Sequence, residues 1–134
     1  MTETGFVPKA RYMMRALELA AQAAAMGEVP VGAVVVQKST GRIIGEGYNR
    51  READRSPLAH AEIMAIDAAS RTLGGWRLLD SALYVTLEPC PMCAGAILHA
   101  RLEQVIYGTA DPKGGAVDSV KQLFTLPYNW TPEV

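Results

Sequence analysis

The sequence predicts a layered α/β domain, and three observations carry that prediction. Helical and strand periodicities alternate along the chain in the order αββαβαβ, the pattern of helices packed on a sheet. The strand runs are short and apolar, as buried strands are. Glycines stand where each long periodic segment stops. With 134 residues, 49% of them hydrophobic, the chain suits one domain over residues 1–134 with a sizeable core.

Taken in order, residues 1–7 read as a loose leader. A helix is expected from Pro8 to Met26, with Tyr12, Met13, Ala16, Leu17, Ala20, Ala23 and Ala24 as its apolar stripe and Gly27 ending it. That stripe of Met and Ala reads as core packing. Val31 to Val36 is a buried strand, in which small Gly32 and Ala33 suit close backbone approach. Thr40-Gly41 turns the chain into a second strand, Arg42 to Tyr48. Residues 50–57 form a loop. A helix follows from Leu58 to Leu73, with Ile63, Ile66, Ala69 and Leu73 on one face and Gly74-Gly75 as its stop. Ala82 to Leu87 is a strand delivering Glu88-Pro89-Cys90, Pro91 to Ala100 a helix rich in small residues, and Gln104 to Tyr107 another strand. A loop at 108–118 leads to a short helix near Ser119–Phe124. The tail from Thr125 contains Pro127 and Pro132 and shows no period.

Composition excludes several classes. The net charge of −1 rules out a histone-like or tail-driven nucleic-acid binder. Arg50, Arg51 and Arg55, with Arg71, Arg77, Lys113 and Lys121, form either a local basic patch or a solvated surface. No apolar run approaches the roughly 20 residues of a membrane span. No secretory leader is visible, and the two cysteines stand close together, so a reducing cytoplasm is expected.

Those cysteines carry the chemistry. Cys90 and Cys93 stand three apart and share one face of a helix whose first turn suits Pro91. A helix N-terminus favours thiolate, the form that binds metal. Alone, C-x-x-C reads equally as a redox pair or half of a structural zinc site. His60 upstream supplies a third ligand and changes that reading. The only other histidine, His99, lies about 9 Å further along the predicted helix than Cys93, too far for zinc bonds of about 2.0–2.3 Å. Three protein ligands leave one position for water, the pattern of a catalytic zinc. Glu62 is then the candidate proton carrier. Residues two apart on a regular helix point roughly 200° apart. His60 and Glu62 can face one metal only at a helix entrance, which Ser56 as N-cap and Pro57 at the first helical position are expected to supply. H-x-E with P-C-x-x-C is the signature of zinc nucleobase deaminases. Asn49, at a strand end, reads equally as a ligand contact or a turn residue.

The chain resembles the bacterial tRNA adenosine deaminases of the cytidine deaminase-like fold. The resemblance rests on Glu28-Val29-Pro30-Val31-Gly32-Ala33, Gly47-Tyr48-Asn49-Arg50, Ala59-His60-Ala61-Glu62-Ile63, the run from Leu83 through Pro89-Cys90-Pro91-Met92-Cys93 to Ala96, and Tyr107-Gly108. It implies a three-layer α/β/α fold with a mixed, roughly five-stranded sheet. It also implies a cytoplasmic homodimer that converts adenosine to inosine at the wobble position of a tRNA anticodon stem-loop. His60, Cys90 and Cys93 would hold one Zn²⁺ per subunit with a bound water, and Glu62 would shuttle protons. Asn49 and the backbone at Ala61 would contact the base, Pro30, Val31 and Leu87 would line the pocket with Glu88 nearby, and Asp111 and Lys113 would lie near the RNA.

Two features depart from the family pattern. Ser56-Pro57-Leu58 stands where relatives often have Asp-Pro-Thr. The family usually continues past Pro132-Glu133-Val134 into a last strand and a C-terminal helix, so the chain is expected to lack that segment. A guanine or cytidine deaminase and a single-stranded DNA deaminase share the zinc chemistry and remain alternatives. A zinc-stabilised binding module would need four protein ligands.

Overall fold

The computed structural model describes residues 9–120, 122–125 and 131–134. The expected leader, Lys121 and Pro127 lie outside them. Helix α1 (Ala10–Ala25) leads into strands β1 (Gly32–Gln37) and β2 (Ile43–Tyr48). Helix α2 (Ala61–Leu73), strand β3 (Ser81–Leu87), helix α3 (Pro91–Ala100) and strand β4 (Gln104–Thr109) follow. The sheet runs β2-β1-β3-β4. β1 is antiparallel to both neighbours, and β3 and β4, joined through α3, are parallel, so the sheet is mixed.

Side chains alternate across the sheet, and the alternation makes two cores. Val34, Val36, Ala82 and Tyr84 face α1, where Tyr12 and Leu19 meet them. Ala33, Val35, Leu83 and Val85 face α2 and α3, where Ala61, Ala65, Ala69 and Ile97 meet them. This is the expected three-layer α/β/α arrangement. The sheet has four strands among the described residues, not five. Among the described residues, the outer edge of β4 carries one bridge, between Gln104 and Glu133. Glu133 donates to Glu103 and accepts from Val105.

Glycines set how closely the helices approach. A Cβ on Gly32 would run into the backbone of Ala16 and Ala20, and one on Gly45 or Gly47 into the backbone of Ala61, Ala65 or Ala69. Backbone contact of this kind selects alanine on the helix side. The buried stripe of α2 is therefore Ala61, Glu62, Ala65 and Ala69, while Ile63 and Ile66 are half-buried and Leu73 is exposed. Of the expected face of Ile63, Ile66, Ala69 and Leu73, Ala69 is buried and half-buried Ile66 packs against the core, while Leu73 is exposed. In α1, Leu19 turns inward, whereas Leu17 and Ala24 turn outward.

Two other boundaries differ from expectation. α2 starts at Ala61, with extended His60 as its N-cap. Ser56 instead closes a local turn, its hydroxyl accepting the Leu58 N–H. The helix expected at Ser119–Phe124 is replaced by a 3-10 turn at Leu123–Thr125. The N–H groups of Val117, Asp118 and Ser119 donate to the Glu88 carboxylate, which ties this segment to the end of β3. No helix among the described residues is long and apolar enough to cross a membrane.

Candidate active site

β3 ends at Leu87, and Glu88-Pro89 carry the chain directly into α3. Cys90 is the N-cap of α3, Pro91 its first residue, and Cys93 lies in its first turn. The N-terminus of α2 meets that of α3. His60 Nδ1 stands 3.6 Å from Cys90 Sγ and 3.6 Å from Cys93 Sγ. All three donor atoms lie within 4.8 Å of one another, a group that can hold a metal ion. Donors bound at 2.0–2.3 Å around a tetrahedral centre stand about 3.5 Å apart, so the donor set and its spacing fit zinc. The extended backbone of His60 resolves its spacing to Glu62. His60 precedes the helix and Glu62 lies within its first turn, so the 200° separation of a regular helix does not apply.

The electrostatics suit metal binding. A hydrogen bond from the Cys93 thiol, with lesser help from backbone N–H groups and His60, brings Cys90 down to about 5 despite burial. The same bond and burial push the Cys93 thiol up. Glu62 is 4% exposed. Burial raises its carboxyl to about 7; a backbone hydrogen bond opposes the rise and Cys90 adds to it.

Above these groups opens a cleft of about 130 Å³. Drug-sized sites occupy roughly 300–1,000 Å³, so this cleft admits only a small group. Val29, Val31, Asn49, Arg51, His60, Ala61, Glu62, Leu87, Glu88, Cys90 and Asp111 line it. Of the residues expected to meet substrate, Val31, Asn49, Ala61, Leu87, Glu88 and Asp111 are brought together here. Pro30 and Lys113 are not among the lining residues, and both are exposed. His99 lies in a separate surface groove with Trp76 and Ser70.

Glu88 lines the cleft, yet its carboxylate is saturated. It accepts the N–H groups of Asp111, Val117, Asp118 and Ser119 and the Ser119 hydroxyl. A carboxylate offers about four lone-pair sites, so little is left for a ligand. Burial pushes its pKa up, but the Ser119 hydroxyl and the backbone N–H groups of Asp118, Asp111 and Ser119 more than offset this and hold it at about 2. Val29 and Arg51 were not anticipated as lining residues. The Glu28-Val29-Pro30 run and the Arg50–Arg55 cluster were their only signals.

Comparison with known proteins agrees with this geometry. Residues 8–109 match the family model of the cytidine and deoxycytidylate deaminase zinc-binding region. The tRNA-specific adenosine deaminase of Haemophilus influenzae is 54% identical over 113 residues, 84% of this chain and 65% of that protein. That of Bacillus subtilis is 49% identical over 112 residues, 84% of this chain and 68% of that protein. The matched segment thus spans about two thirds of these relatives' length. A solved structure from studies of A-to-I editing by tRNA:A34 deaminases at the wobble position superposes with a TM-score of 0.90 at 45% identity, covering 94% of this chain and 91% of the other. The guanine deaminase of Bacillus subtilis gives 0.73 at 41%, covering 78% and 66%. Two helix N-termini converging on a zinc-type donor set, and identity that runs through most of the chain, place this protein in the zinc-binding deaminases as a member of the tRNA-specific adenosine deaminase family.

Proposed function

We propose that the protein deaminates adenosine to inosine by hydrolysis at the wobble position of a tRNA anticodon stem-loop, working as a cytoplasmic homodimer. The observation that carries this reading is the floor of the cleft: a His-Cys-Cys donor set beside a buried carboxyl, under an opening sized for one base. Bound zinc lowers the pKa of water toward neutrality and makes hydroxide available at neutral pH.

The chain's own residues do the rest. A base flipped out of its stack enters between Val31 and Leu87, which exclude water from its faces. Asn49 and the backbone at Ala61 orient it. Glu62 takes a proton from the attacking water, delivers it to N1 of the ring, and then assists the departing amine. Adenosine and water become inosine and ammonia. A carboxyl held at about 7 can both accept and donate a proton at neutral pH. Asp111 and Lys113, on the loop held by Glu88, serve the RNA around the base. The test is incubation of zinc-loaded protein with an anticodon stem-loop, scoring inosine by sequencing, beside guanine, cytidine and single-stranded DNA. Inosine at the wobble base supports the reading; ammonia from guanine or cytidine alone, or editing of DNA alone, overturns it.

A further inference from the structure

We infer that Glu28, just before the cleft residue Val29, is a positioning residue: its buried carboxylate holds the 49–55 loop and through it sets Asn49 and Arg51 in the cleft wall. The inference deepens the function proposed above and rests on it for its kinetic arm. Gly27, with φ at +78°, ends the α1 turn, and the Glu28 N–H donates back to Ala23. Glu28 is 7% exposed. One of its oxygens accepts the Glu52 N–H at 3.2 Å and the other the Ala53 N–H at 2.8 Å. A buried acid that reaches across the sequence to two backbone donors is committed to the loop, because burying it without such partners is costly.

The loop depends on that hold. Its Arg50–Asp54 ion pair and its Asp54-to-Arg50 backbone bond are internal. At its start the Asn49 N–H donates to Val31 and the Arg50 N–H to Ala59. Further along, Glu28 supplies the described side-chain bonds that tie residues 52 and 53 to the rest of the molecule. Between these anchors the Arg51 N–H donates to Asn49 Oδ1 at 3.4 Å. Asn49 is 5% exposed and faces the cleft with Arg51. With one Oδ1 lone pair directed at the Arg51 N–H, the Asn49 amide N–H₂ and the second Oδ1 lone pair are the groups left to meet the base. Glu28 therefore acts at a distance from substrate, by way of the loop backbone and Asn49.

Glu28→Gln and Glu28→Ala in the zinc-loaded protein test this by two readouts. The first is amide hydrogen exchange at Glu52 and Ala53, which is independent of activity. Loss of a charge-assisted bond should speed exchange at these amides about tenfold in either variant. The second is steady-state deamination of the anticodon stem-loop. KM should rise about fivefold or more while kcat stays within about twofold, the pattern of lost uniform binding. Adding Glu28→Gln to Asn49→Ala should raise KM no further than Asn49→Ala alone, since both act through one side chain. Unchanged exchange, a fall in kcat at constant KM, or additive effects in the double variant would overturn the inference. If Glu28→Ala does not fold, Glu28→Gln, which keeps the shape, carries the test. If the wild type deaminates no RNA, the substrate reading fails, and the exchange arm still decides the role of Glu28.

Discussion

Glu62 and Glu88 border the same cleft and are buried alike, at 4% and 2% exposure, yet their carboxyls titrate at opposite ends of the acidic range. Glu62 stands at about 7 and Glu88 at about 2. Burial pushes both upward. The difference lies in donors. Four backbone N–H groups and a hydroxyl converge on Glu88, while Glu62 lies near the sulfur of Cys90 and has two opposing hydrogen bonds, one from the backbone and one with Cys93. Burial makes a carboxyl sensitive to its surroundings, and the count of donors decides which way it moves. The first arrangement raises a carboxyl pKa beside the His60, Cys90 and Cys93 donor set. The second freezes a charge that organises a loop.

The largest effect that sharpens this contrast is on turnover. Glu62→Gln should lower the deamination rate by about 10²–10⁴-fold while zinc content, read by elemental analysis, stays at the wild-type level. A variant turning over at the wild-type rate would remove Glu62 as proton carrier and collapse the distinction. Next comes stability. Glu88→Gln leaves backbone donors in the 111–119 loop without a charged acceptor and should cost about 3 kcal/mol in urea melts. Loss of less than half of that would show that the loop is held by other bonds.

The smallest effect is the pH dependence of those melts in metal-free protein, where the two glutamates have opposite signs. Glu88 has a depressed folded pKa, so its contribution is fully present above the ordinary value near 4.3 and fades as pH falls toward about 2. The gap between wild type and Glu88→Gln should close over that window. Glu62 has a raised folded pKa, so its contribution is fully present below the ordinary value and is lost as pH rises through about 7. Glu62→Gln should therefore gain on wild type between about pH 4.3 and 7. Gaps moving in the same direction would mean that the two carboxyls do not differ as described.

Much of this was legible in residue order. The start of α3 was readable because Pro91 at the first helical position and Cys90 before it are local signals, and local signals govern there. The start of α2 was misread for the same kind of reason. Ser56-Pro57 carries the same local signature, but Arg50 donates to the Ala59 carbonyl and His60 is held extended, which delays the helix to Ala61. The isoleucines of α2 suggested its inward face. Gly45 and Gly47 on the neighbouring strand instead select alanines, a fact of packing between segments distant in sequence.

The order of elements, the identity of the three metal-type donors and the presence of an acid beside them follow from residue types and their spacing, because periodicity, capping and ligand chemistry act over a few residues. Which glutamate holds a loop and which stays poised at the donor set does not. Glu28, Glu62 and Glu88 share one side chain, and the donors that the fold aims at each set them apart: backbone N–H groups of distant loops meet Glu28 and Glu88, while Glu62 is buried beside Cys90 and Cys93.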